Sequence, residues 1–124
     1  MKRPELKLHF AVAAYLRHAL PPEVVAWHTP NGELRDPRTA AKLKGMLVVP
    51  GVPDFTLVLP NGQTAFIELK AGDGQLSPEQ IEFRQRVVAL RCGYAVCRSL
   101  DEVEATLARW LSKFGLTLKG RLAA

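Results

Sequence analysis

The chain has 124 residues, enough for one domain around one core. A hydrophobic fraction of 48% excludes a disordered chain, and no window approaches the roughly 18 continuous apolar residues of a membrane span. Lys and Arg number 17 against 12 Asp and Glu, a net charge of +5, which suits a polyanionic partner without requiring one.

The N-terminus opens with Lys2 and Arg3 and then turns apolar, in the manner of a leader peptide. Glu5, His9, Arg17 and His18 interrupt the apolar run, so the expected location is the cytoplasm. Cys92 and Cys97 are too few for a disulfide framework and have no partners for a zinc cluster. Both are expected to be buried free thiols.

In chain order, residues 4–20 are predicted to form a helix that Pro21 and Pro22 end. At about 100° per residue, Glu5, His9, Val12, Leu16 and Leu20 share its apolar stripe. Residues 24–28 are a short strand. Residues 29–44, rich in Pro, Gly, Asn and charge, read as a long loop, a length usually functional or mobile. Residues 52–59 and 64–70 are apolar runs joined by Pro60-Asn61-Gly62-Gln63, and the Asn-Gly pair predicts an antiparallel hairpin. After a Gly-rich break at residues 71–75, Ser77, Pro78 and Gln80 mark the start of a helix that runs to about Arg91 and stops at Gly93. Residues 94–98 are a strand. Ser99 and Glu102 open a last helix to about Leu111, and the basic tail from Lys113 is expected to fray. The order predicts an α/β domain with a mixed sheet, its last strand parallel to residues 64–70 because a helix crosses over between them.

The candidate chemistry begins at Phe66-Ile67-Glu68-Leu69-Lys70. Strand side chains alternate, so Glu68 and Lys70 share one face at the end of an otherwise apolar strand. Burying such charges is costly unless they are paired or bind a metal. A strand end emerging into water, with an exposed ion pair, would look the same. The hairpin supplies a second carboxylate. Counted outward from the turn, Leu59 lies near Thr64 and Asp54 near Leu69 or Lys70, one register step from Glu68. Two carboxylates and a carbonyl such as that of Leu69 make an all-oxygen site of the kind Mg²⁺ (or Mn²⁺) takes. Lys70 would then orient or deprotonate a water, or stabilise charge on a phosphate. Asp54 could equally be a turn residue after Pro53. Glu5 and His9 open the same side as the first helix's stripe, towards the site, or hang past the sheet into solvent. Gln80 either completes the capping box with Ser77 or faces the sheet with Phe83, Arg84 and Val87. One side chain is not expected to do both.

Gly51-Val52-Pro53-Asp54, then Phe66-Ile67-Glu68-Leu69-Lys70, then Gly74-Gln75-Leu76-Ser77-Pro78-Glu79-Gln80 resemble the virus-type replication–repair nuclease (VRR-NUC) domain of the PD-(D/E)XK nuclease superfamily. So do Glu5 with Leu8-His9, Trp27-His28-Thr29-Pro30-Asn31-Gly32, and Ser99-Leu100-Asp101-Glu102. The resemblance implies a restriction-endonuclease-like core over residues 1–112 with a basic tail over 113–124. It implies hydrolysis of DNA phosphodiesters with a divalent metal, Asp54 and Glu68 as metal ligands, Lys70 as the catalytic lysine, and Glu5 and Gln80 at accessory polar positions. Small stand-alone members, often encoded by phages, are similar to Holliday junction resolvases and act as homodimers, so a homodimer on branched DNA is expected. One departure is Leu47, where the family commonly carries a glycine.

Asn31, Arg35, Arg38, Lys42 and Lys44 lie in the polar segment ahead of the site and are expected to contact the DNA backbone. A solvated basic loop is the plain alternative. Two other functions stay open: a structure-selective DNA-binding module that does not cleave, and a nuclease acting on other DNA or on RNA.

Overall fold

Proline stands in the first turn of three helices, where its missing N–H and fixed φ cost nothing. The computed structural model describes residues 2–30 and 36–120. Its elements are α1 (Arg3–Ala19), β1 (Val25–His28), α2 (Pro37–Gly45), β2 (Phe55–Val58), β3 (Thr64–Leu69), α3 (Pro78–Ala89), β4 (Gly93–Cys97) and α4 (Leu100–Ser112). The strands form one sheet in the order β1-β2-β3-β4. β1, β2 and β3 pair antiparallel, and β4 joins β3 in parallel through the α3 crossover, as the element order predicts. The result is an α/β domain with a restriction-endonuclease-like core: a mixed sheet with helices on both faces. Among the described residues no helix is long and apolar enough to cross a membrane.

Alternation sorts the strand residues. Leu57, Ala65, Ile67, Leu69 and Cys97 turn to one face and are buried with Val12 and Leu16 of α1 and Val103, Leu107 and Leu111 of α4. On the opposite face, Phe66 meets Phe83 of α3 edge to face, with ring centroids 5.4 Å apart. Glu68 follows Phe66 on that same face. Both cysteines are free; Cys97 is buried as expected, whereas Cys92 is only half-buried.

Four expectations need correction. The hairpin closes through a short 3-10 turn at Pro60–Gly62, with Asn61 at φ 64 and Gly62 at φ 72. Leu59 therefore bonds to Gln63 rather than lying near Thr64, and Val58 is the residue opposite Thr64. Carried outward, this register sets Asp54 opposite Glu68, one step closer than the count from the turn. The strand itself is shorter than expected, since β2 starts at Phe55.

Second, residues 37–45 of the expected long loop are a helix. Asp36 caps it, accepting from Thr39 N–H at 2.8 Å and Thr39 Oγ1 at 3.0 Å, ahead of Pro37 at the first helical position. No residue of α2 is buried, which is why apolar periodicity gave no sign of it. Third, α3 ends at Ala89 and is closed by Arg91 rather than Gly93. Arg91 takes φ 67, and its N–H and that of Cys92 return to Val88 and Val87 carbonyls. Leu47 ends α2 in the same closing motif, at φ 66, with Leu47 N–H to Lys44 O and Val48 N–H to Leu43 O. Leu47 thus occupies a left-handed conformation that costs a β-carbon-bearing residue about 1 kcal/mol. Fourth, the tail does not fray as far as Gly120. Phe114, Leu116 and Leu118 pack on the core, Lys119 N–H donates to Ala19 O, and His18 Nε2 lies 2.8 Å from Gly120 O.

Gly51 governs the approach to the site. Its φ is +84, and a Cβ there would lie 2.4 Å from the Glu79 carbonyl oxygen in the first turn of α3. Only glycine lets residues 50–53 run against that helix. Gly51→Ala is expected to cost roughly 2 kcal/mol or more through the left-handed backbone and the clash together. Urea titration checks this, and a midpoint within error of wild type would refute it.

Candidate active site

Asp54, Glu68, Lys70, Gln80, Glu5 and Lys44 line one cleft of about 650 Å³, walled by Val48, Val49 and Val52. Asp54 enters from the segment before β2, Glu68 and Lys70 from the end of β3, Gln80 from the first turn of α3, and Glu5 from the first turn of α1. Asp54 is 6% exposed and Glu68 3%. The Leu69 N–H donates to Asp54 Oδ2 at 2.7 Å, so the β3 backbone itself holds the carboxylate of the preceding strand. That bond is the local product of the hairpin register.

Glu68 carries the cost of the arrangement. Burial, and then the Asp54 carboxylate beside it, push its carboxyl up to about 9 from an ordinary 4.5, against the opposing pull of Lys70. Its Oε2 is 3.4 Å from Gln80 Nε2, while Oε1 is buried without a hydrogen-bond partner among the described residues. Gln80 also accepts from Ser77 N–H through its Oε1 at 2.9 Å, and Ser77 Oγ accepts from Gln80 N–H. The expectation that Gln80 would do only one of these jobs is wrong. Its amide oxygen caps the helix, and its amide nitrogen faces Glu68.

Behind Asp54 lies a ring cluster. His9 Nε2 stands 3.6 Å from Asp54 Oδ2, and the His9, His28 and Phe55 rings pack at centroid distances of 5.1 to 6.3 Å. Burial lowers the His9 pKa, with Asp54 partly opposing, so the ring is neutral near pH 7. Its position shows that the first helix does not hang past the sheet at this residue, because His9 is buried.

The remaining candidates separate. Lys44 reaches the cleft, whereas Arg38 and Lys42 are exposed on α2 outside it. Asn31 and Arg35 lie outside the described residues. Two participants escaped sequence reasoning. Arg98 Nη1 donates to the Gly72 and Gly74 carbonyls at 2.9 and 2.7 Å, fixing the break beside Lys70. Tyr94, on the Glu68 face of the sheet, has a buried hydroxyl whose pKa burial raises to about 12. Only the parallel register of β4 could have pointed to Tyr94. A single arginine at a strand end carries no such signal.

Among the described residues no three His, Cys, Asp or Glu side chains gather into a cation cage. A cation here would therefore take two carboxylates, backbone oxygen and water, the ligand set of Mg²⁺ or Mn²⁺ rather than of structural zinc. The unpartnered Glu68 Oε1 fits such a group.

The VRR-NUC domain model matches residues 12–101, well over half of the chain. The chain belongs to the VRR-NUC family. VRR-NUC domains are nucleases of the PD-(D/E)XK type, and this chain carries Asp54 followed by Glu68-Leu69-Lys70 within the matched span. The match also takes in α2 and Gln80, while Glu5 and His9 precede it. No curated protein and no solved structure matches the chain.

A stability prediction follows from Glu68. Below its ordinary 4.5 the carboxyl is protonated in both folded and unfolded chains. Between 4.5 and about 9 the unfolded chain ionises and the folded one keeps its proton, so folded stability falls as pH rises through that window. In EDTA, Glu68→Gln is expected to melt higher than wild type at pH 8, with the gap closing towards pH 4.5. Parallel melting curves across that range would refute the assignment.

Proposed function

We propose that this VRR-NUC chain is a divalent-metal-dependent DNA endonuclease, acting on branched DNA in the manner of a junction resolvase. The observation that carries this reading is the buried Asp54–Glu68 pair, opening with Lys70 into one cleft and leaving Glu68 Oε1 unpartnered. A site built only to bind DNA gains nothing from burying two carboxylates, which repel phosphate. In hydrolysis the oxygen of water bonds to phosphorus and the bond from phosphorus to one sugar oxygen breaks.

Asp54 and Glu68, with the Leu69 carbonyl, would hold Mg²⁺ or Mn²⁺. When bound, the cation supplies Lewis-acid stabilisation of phosphate charge and eases loss of a proton from water. The protein's own groups do the rest. The Leu69 N–H fixes the Asp54 carboxylate through Oδ2, and Gln80 keeps Glu68 Oε2 in place from a capped helix start. Lys70 brings a positive charge to the end of β3, where it orients the attacking water or offsets negative charge growing on the phosphate. Glu5, from α1, adds a polar contact to water or substrate at the cleft wall. Arg38, Lys42 and Lys44 contact the DNA backbone from α2, and Asn31 and Arg35 belong to the same basic segment.

The decisive test is a cleavage panel of duplex, nicked, flap, four-way junction and single-stranded DNA with Mg²⁺, Mn²⁺ or EDTA. Asp54→Ala and Glu68→Ala are expected to abolish cleavage and retain DNA binding, since losing a carboxylate does not weaken attraction to phosphate. Lys70→Ala should depress turnover with little change in affinity. Cleavage in excess EDTA, or full activity of either carboxylate variant, would refute the reading.

A resolvase makes two symmetry-related cuts, and one such site cuts one strand, so a two-fold dimer is the economical assembly. Leu6 and Phe10, exposed on the outer side of α1, are apolar surface left over from the core. We expect a homodimer by light scattering at micromolar concentration, with Phe10→Glu giving monomers and unpaired nicks. A wild-type monomer that nicks linear duplex as fast as a junction would count against both the dimer and the substrate preference.

A further inference from the structure

Among the described residues Leu47 is the most exposed large apolar residue, at 83%, and Met46 beside it is 66% exposed. They form the tip of α2, a helix with Arg38, Lys42 and Lys44, no acidic residue and no buried one. Leu47 holds the left-handed position of a helix-closing motif that α4 fills with Gly115, at φ 68. The backbone there disfavours a side chain, and the side chain projects into water. It therefore costs stability without adding to the core, the pattern expected where an outward contact is the purpose. Lys44, two residues before Met46, and Val48, directly after Leu47, line the cleft that holds Asp54 and Glu68, so the tip stands on its rim.

A basic, acid-free helix is complementary to a polyanion, and phosphate is what such a surface attracts first. An apolar tip at the end of that helix meets the part of a nucleic acid that is not phosphate. Leu and Met side chains enter base steps as wedges, separating neighbouring bases and bending the duplex. Such entry is cheapest where stacking is already broken, as at a branch. We propose that the Met46–Leu47 tip is an apolar wedge that enters an opened base step of DNA held at the cleft, and so directs the nuclease to branch points. The wedge deepens the nuclease reading and rests on it for the location of the cleft. Its substrate class is DNA with an unpaired or readily unstacked step beside the bond to be cut.

The test uses a four-way junction with 2-aminopurine next to the branch, bound by the full chain in EDTA so that nothing is cleaved. Wild type is expected to raise 2-aminopurine fluorescence on binding, because the base loses its stacked neighbour. Leu47→Gly removes the wedge and relieves the backbone, so its melting temperature should not fall. It is expected to bind without the fluorescence rise and to lose about tenfold of its preference for junction over continuous duplex, the order of one lost base contact. The salt dependence of its binding should be unchanged, because the basic residues of α2 remain. A Leu47→Gly variant that keeps the fluorescence rise overturns the proposal. So does one that turns a wild-type dimer into a monomer, which would assign the tip to a second copy of the chain. Failure of the nuclease reading has a different signature: the fluorescence rise persists, and no cleavage follows when metal is supplied.

Discussion

Two carboxyl groups share a buried corner between the end of β3 and the segment before β2, and one of them, Glu68, has an oxygen with no partner among the described residues. Without a counter-charge this arrangement is costly, because low-dielectric surroundings penalise the ionised pair. The fold accepts that cost and concentrates neutralising devices around it: a backbone N–H to Asp54, an amide to Glu68 and Lys70 two residues on. These devices steady the groups without satisfying them. A pair kept for stability alone would have its hydrogen bonds completed, and among the described residues Glu68 Oε1 has none.

Much of the remaining architecture serves to bring the two carboxyls together. The tight turn at Pro60–Gly62 sets the β2–β3 register, and that register puts the Leu69 N–H within 2.7 Å of Asp54. A slip by one residue would send Glu68 to the face packed by α1 and α4. Gly51 lets the incoming chain touch the first turn of α3, so that Gln80 meets Glu68 across a distance its short side chain can span. Arg98 ties the break after Lys70 to the end of β4. The buried apolar layer beneath β3 makes these placements rigid, because Ile67 and Leu69 are fully enclosed on the other face.

α2 follows different rules. It is capped at both ends by local hydrogen bonds and contributes nothing to the core. Helices without a buried face gain little from packing, so this one is held mainly by its caps and its attachment to the cleft wall. An element of that kind can be basic throughout and end in exposed apolar residues, because no core constrains its composition.

The sequence by itself determined the order of every element but α2, the parallel placement of β4, the apolar faces of the strands, and the grouping of Asp54, Glu68 and Lys70 near one strand end. These depend on alternation, turn chemistry and crossover handedness, which act over a few residues or follow from connectivity. The cap of α2 was written in Asp36 and Pro37, yet went unread because periodicity, the stronger local signal, is absent from a helix that buries nothing. Tertiary structure alone decided the exact partner of Asp54, the double use of Gln80, the burial of His9 behind Asp54 and the docking of Phe114, Leu116 and Leu118. Each depends on a distance between segments far apart in the chain. A one-residue difference in turn geometry shifts such a distance by more than a hydrogen bond can span, and no local pattern records it.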